Sequence, residues 1–137
     1  MGSTISSLFG AGVGEEPEPS ADSRVTAFHS SDRWQLHFDA SKKLNKLMVV
    51  DFTATWCGPC KFMAPAFDAM SAKYTDVDFV KVDVDELADV AREFAVQAMP
   101  SFVLLKQGKE VDRVVGAKKD ELEKKICKHR EVPKFAA

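Results

Sequence analysis

The passage from Leu47 to Met63 constrains this chain more than any other. A continuous apolar run, Leu47-Met48-Val49-Val50-Asp51-Phe52-Thr53, has the length of a buried strand and is broken only by Asp51. It leads through Trp56-Cys57-Gly58-Pro59-Cys60 into a segment of helical periodicity, with Met63, Ala66, Phe67, Met70 and Tyr74 on one side. A Cys-x-x-Cys at the start of a helix brings two sulfurs within disulfide reach, α-carbons about 5.5 Å apart.

The rest of the chain supplies a sheet around that passage. Val25 to Phe28 predicts a short strand, and Ser30-Ser31-Asp32 is an N-cap cluster for a following helix. Leu36, Ala40, Leu44 and Leu47 give that helix an apolar face, with Trp34 and Phe38 beside it. Pro65 should kink the helix that follows the cysteines. Phe79 to Val84 predicts a strand, and Leu87, Val90, Ala91 and Phe94 mark an amphipathic helix. Ser101 to Lys106 and Glu110 to Val115 read as a hairpin across Gln107-Gly108. A last helix spans about Lys118 to Lys128, with Leu122 and Ile126 facing inward and Pro133 ending any continuation. The order βαβαβαββα predicts an α/β fold: a mixed central sheet, mostly five strands, flanked by about four helices.

Composition sets the outer bounds. The 137 residues suit one domain plus a tail, and 45% apolar content can fill a core without disulfide staples or structural metal. A net charge of -2 and a pI near 5.9 leave no nucleic-acid footprint. Three cysteines are too few for a secreted disulfide framework and point to redox chemistry in a reducing compartment. The longest apolar runs are strand-length, so no membrane span is expected. Met1 to Ser23 is rich in Gly, Ser, Pro and Glu and holds no Lys or Arg, which argues against secretory and organellar leaders. The expectation is a disordered extension over 1–23, a domain over 24–131 and a tail over 132–137.

Position gives the cysteine pair its chemistry. Cys57 opens a helix, so its sulfur meets unpaired backbone N–H groups and the positive end of the helix dipole. Both favour the thiolate, which is the nucleophile. A helical wheel places Cys60 nearer the stripe of Met63, Phe67 and Met70, which predicts an exposed, attacking Cys57 and a tucked-in, resolving Cys60. Pro59 preorganises the first turn and Gly58 leaves the approach open. One Cys-x-x-Cys with distant His29, His37 and His129 does not make a tetrahedral zinc set, and no His has a reason to sit beside Cys57 as in a cysteine hydrolase. Asp51 stands out because a carboxylate in an apolar strand is costly without a partner or a task. Burial there should raise its pKa and make it a proton acceptor near neutral pH.

These residues resemble the thioredoxins. The resemblance is carried by Asp51-Phe52-Thr53-Ala54-Thr55-Trp56-Cys57-Gly58-Pro59-Cys60-Lys61, then Pro65, Met99-Pro100-Ser101 and Val115-Gly116-Ala117, and it covers about Val25 to Cys127. Val49 to Ala54 with Lys61-Phe62-Met63-Ala64-Pro65 is similar to plant h-type members, and the Gly2-bearing extension to their long-tailed branch. The resemblance implies a thioredoxin fold and a protein-disulfide reductase with no bound cofactor beyond the Cys57–Cys60 disulfide. It implies a cis bond before Pro100, opposite the disulfide. Trp56, Gly58, Pro59, Met99, Gly116 and Ala117 would then form a flat apolar docking surface for disulfide-containing targets. Asp51, with Lys81 as its partner, would help deprotonate Cys60. Regeneration would come from NADPH through thioredoxin reductase, or from glutathione and glutaredoxin. A monomer is expected. Two readings compete: a non-catalytic binding module, and a dimer bridging a metal or iron–sulfur cluster through Cys57.

Weaker signals remain. Met1-Gly2-Ser3-Thr4-Ile5-Ser6 fits the pattern for N-myristoylation of Gly2. One acyl chain on an acidic tail supports only reversible, peripheral membrane contact by a cytoplasmic protein. Cys127 reads as an edge or minor-core thiol of the last helix. Lys124, Lys125, Lys128 and Arg130 complement that helix's dipole.

Overall fold

The computed structural model describes residues 22–130. In chain order it holds β1 (Thr26–Phe28), α1 (Ser31–Ser41), β2 (Leu47–Thr53), α2 (Gly58–Lys73), β3 (Asp78–Asp83), α3 (Ala88–Glu93), β4 (Ser101–Lys106), β5 (Lys109–Val115) and α4 (Lys119–His129). The strands form one sheet in the order β1-β3-β2-β4-β5. β2 is buried at all seven positions because it is central and covered on both faces. It pairs in parallel with β3 and antiparallel with β4. Gln107 and Gly108, at φ 53° and 81°, make the two-residue left-handed turn that matches the twist of the β4–β5 hairpin.

Side chains alternate across the sheet and define two cores. Leu47 and Val49 join Met63, Phe67 and Met70 of α2 and Leu122 and Ile126 of α4. Met48, Val50 and Phe52 join Trp34 and Phe38 of α1 and Val90 and Ala91 of α3. The same parity puts Asp51 on the face of Leu47 and Val49, the face that α2 covers. α2 runs unbroken through Pro65 to Lys73.

The predicted inner face of α1 is wrong. Leu36 is 72% exposed and Leu44, beyond the helix end, is 52% exposed. Trp34 and Phe38 are the buried pair, stacked at 5.5 Å, with Phe28 and Phe94 each edge-on to Trp34 at 6.0 Å. Two aromatics one turn apart bury far more area than the aliphatic stripe could, and the fold follows the larger gain. Ser30 caps this helix as expected, its side chain accepting from the Arg33 N–H at 3.4 Å.

Candidate active site

The chain leaves β2 at Thr53 and turns at once. The Cys57 N–H donates to the Ala54 carbonyl at 3.2 Å, and the Lys61 N–H donates to the Cys57 carbonyl at 3.2 Å as the first bond of α2. Cys57 is therefore the N-cap, with an extended backbone at φ -91° and ψ 110°. Its sulfur takes the capping role that a Ser or Asp oxygen usually fills: the Cys60 N–H donates to Cys57 Sγ at 3.2 Å. Pro59 has no N–H to offer and sits in the first turn, where none is needed. Cys57 and Cys60 are joined as a disulfide, with α-carbons 5.3 Å apart.

Exposure does not separate the two cysteines as the helical wheel predicts. Cys57 is 4% exposed and Cys60 6%, so the expected open Cys57 is a misreading for this oxidised state. The bond draws both sulfurs into a small apolar cluster with Ala54, against which Val84 and Met99 pack. What distinguishes them is the hydrogen bond: Cys57 receives a backbone N–H and heads the helix dipole.

Three chain segments meet at this pair. The Met99–Pro100 bond is cis, immediately before β4. The Gly116 N–H donates to the Pro100 carbonyl at 2.8 Å, tying the segment after β5 to the same place. Gly116 has φ 102°, a conformation that disfavours side chains and accounts for glycine there. Trp56 is 66% exposed, and its indole N–H donates to Asp85 Oδ2 at 2.9 Å. Asp83 Oδ1 holds the Asp85 loop by accepting the N–H groups of Asp85 and Glu86 at 2.8 and 3.3 Å. Sequence reading missed Asp85; the Asp83-Val84-Asp85 spacing of an Asx turn was the available signal. Gly58, Pro59 and Ala117 are exposed, and Met99 is half-buried.

Asp51 is 5% exposed, on the sheet face beneath α2, and lies in register with Lys81 of β3 on one side and Phe102 of β4 on the other. Its Oδ1 makes no hydrogen bond, and the residue keeps other interactions with its surroundings. Beside Lys81 a cleft of about 140 Å³ opens, lined also by Phe28, His29, Thr53 and Glu86. Gly2 lies outside the described residues. Cys127 is exposed, which fits the edge reading and not the minor-core one, and its sulfur meets the Tyr74 hydroxyl at 3.3 Å. Among the described residues no three His, Cys, Asp or Glu side chains converge as a metal set.

A reversible dithiol at a strand-to-helix junction, on a mixed sheet with an adjoining cis-proline, defines a thiol–disulfide oxidoreductase. Residues 27–128 match the thioredoxin family model. The chain is 60% identical to Thioredoxin H2 of Arabidopsis thaliana over 135 residues, 95% of this chain and 99% of that one. It is 54% identical to Thioredoxin H2-2 of Oryza sativa subsp. japonica, over 92% of this chain and 93% of that one. Among solved structures, thioredoxin NaTrxh from Nicotiana alata superposes with a TM-score of 0.80 at 78% identity, covering 85% of this chain and 99% of that one. This chain belongs to the thioredoxin family, in its plant h-type group, and is a protein-disulfide reductase. Its redox group is its own disulfide, and its partners are disulfide-bearing proteins and a reductase.

Proposed function

We propose that Cys57 is the attacking sulfur and Cys60 the resolving one. The single observation that carries this assignment is the Cys60 N–H donated to Cys57 Sγ at the N-cap of α2. A backbone donor and a helix dipole stabilise negative charge on that sulfur. The Cys57 thiolate attacks one sulfur of a target disulfide, forming a mixed disulfide and expelling the other target sulfur as thiolate. Cys60, once deprotonated, attacks Cys57 Sγ and expels the second target sulfur. Two electrons pass to the target, two protons are taken up, and the Cys57–Cys60 disulfide remains.

Asp51 takes the proton from Cys60 through water, with Lys81 beside it as its charge partner. Burial on the α2 face favours this reading, and the cleft beside Lys81 is large enough for the water that would return the proton to solvent. Met99, Pro100, Gly116, Ala117, Trp56, Gly58 and Pro59 form the surface on which the target's backbone lies. NADPH with thioredoxin reductase, or glutathione with glutaredoxin, restores the dithiol. The protein acts as a monomer in the cytoplasm, with a reversible membrane-bound fraction if Gly2 is acylated.

Trapping separates the roles. Cys60→Ser should accumulate stable mixed disulfides with target proteins, and Cys57→Ser should capture almost none; the opposite pattern overturns the assignment. Asp51→Asn should slow release of reduced target while leaving capture nearly intact, and equal slowing of both steps removes Asp51 as the base. Reduction kinetics with each regenerating system decide between the reductants. The mass of the N-terminal peptide after plant expression decides the fate of Gly2.

A further inference from the structure

Phe62 is 72% exposed on α2, the helix that opens at Cys57, and no step above uses it. A phenylalanine ring in water is unfavourable unless something covers it. Its place on the helix says where the cover lies. Phe62 follows Pro59 by three residues and Gly58 by four, so all three share one face. Helical side chains lean toward the helix N-terminus, so Phe62 is directed toward the Pro59 side of the first turn. A Cβ built on Gly58 would meet nothing within 4 Å, so this approach is open. On the other side of Cys57 stands Trp56, whose N–H is already taken by Asp85. Trp56 precedes the cysteine pair in the chain and Phe62 follows it, and both rings are exposed. Lys61 is the only charged residue from Pro59 to Phe67, and exposed Pro65 and Ala69 continue the apolar strip along the helix.

We propose that Phe62 is a specificity-determining residue, covered by an apolar side chain flanking the target's disulfide. Continuity fixes the occupant. A polypeptide whose sulfur reaches Cys57 at the N-terminus of α2 lies against Gly58 and Pro59, and Phe62 continues their face one turn further along the helix. Targets with apolar residues beside the cystine are favoured over those with acidic ones, while a disulfide too small to reach past Pro59 gains nothing. This inference rests on Cys57 as the attacking sulfur.

The test uses the full-length, pre-reduced chain in single-turnover mixing with insulin and, separately, with hydroxyethyl disulfide. Phe62→Gln should lower the second-order rate constant for insulin about five- to tenfold, with hydroxyethyl disulfide changed less than about twofold. Phe62→Leu should recover most of the insulin rate. An equal fall with both substrates would mean that Phe62 shapes the thiolate and not the docking, and overturns the proposal. An unchanged or higher insulin rate also overturns it: the ring then meets no target, or is covered by a second copy or by residues 1–21 of its own chain. Capture of insulin by Cys57→Ser and not by Cys60→Ser would instead sink the Cys57 assignment.

Discussion

The start of α2 and the outer edge of α4 are built on opposite plans. The proposed target surface of Trp56, Gly58, Pro59, Met99, Gly116 and Ala117 carries no charged side chain. The α4 edge is laced with ions. His129 Nε2 and Lys125 Nζ meet Asp112 at 2.9 and 3.0 Å, and Arg130 grips Asp76 with two bonds of 2.6 and 3.0 Å. Lys106 Nζ donates to the His129 carbonyl at 2.7 Å, and Lys73 Nζ meets Glu123 at 3.0 Å. Such a surface would let a partner backbone settle without stripping water from fixed ions. The charged edge fastens the last helix to β5 and to the turn after α2. Binding and fastening are assigned to different ends of the same helical layer.

The largest expected effect tests the uncharged end. Cys57→Ser should cut turnover with protein disulfides by at least about 10³-fold, while urea unfolding of the reduced protein shifts by less than about 1 kcal/mol. A large loss of stability would mean that this end also holds the fold together. Next comes Asp112→Asn at the charged edge. The His129 ring, and then the Lys125 ammonium, hold the Asp112 carboxyl well below the usual carboxylate range. A carboxyl lowered in the folded state stabilises the fold above its unfolded value, about 3.9, and loses that contribution as pH falls through the folded value. The variant should lose about 1.5–3 kcal/mol at pH 7. That gap to the parent should narrow as the pH drops below about 4, with turnover at pH 7 unchanged. A constant gap down to pH 2 would show that the carboxylate's charge is not what matters. The smallest effect is at Asp85→Ala, which frees the Trp56 indole. KM for protein targets should rise about threefold, the cost of one orienting hydrogen bond, with kcat and melting temperature nearly unmoved. A change in kcat alone would place Asp85 in the chemistry and blur the division.

Much of this was legible in the residues, for reasons that can be named. β2 was readable to the residue because a fully buried strand writes itself as an unbroken apolar run, and Asp51 showed because it breaks that run. Helix α4 was readable because Leu122 and Ile126 are its only apolar pair at helical spacing. Helix α1 was misread because spacing counts positions and not volume: Leu36 fits the period, but Trp34 and Phe38 have the area that burial rewards. Around the sulfurs, the wheel described a helix interior, whereas Cys57 is a cap with an extended backbone. Its hydrogen bond from Cys60 and its burial depend on that local geometry. The Asx-turn spacing marks the Asp85 loop, but its bond to Trp56 joins residues 29 apart in sequence, which a local pattern does not pair.

The change of strand direction beside β2 has a consequence for how such a protein can be re-addressed. Because β4 runs opposite to β2, with Ser101 facing Phe52, the loop entering β4 arrives where β2 ends. The loop leaving β5 arrives there too, since Val115 faces Ser101. Three connectors far apart in the sequence thus share one rim, and a change in one that keeps the Gly116 N–H to Pro100 carbonyl bond leaves the strands beneath them in place. A new clientele could be recruited by editing a rim loop, leaving the two sulfurs and the strand beneath them untouched.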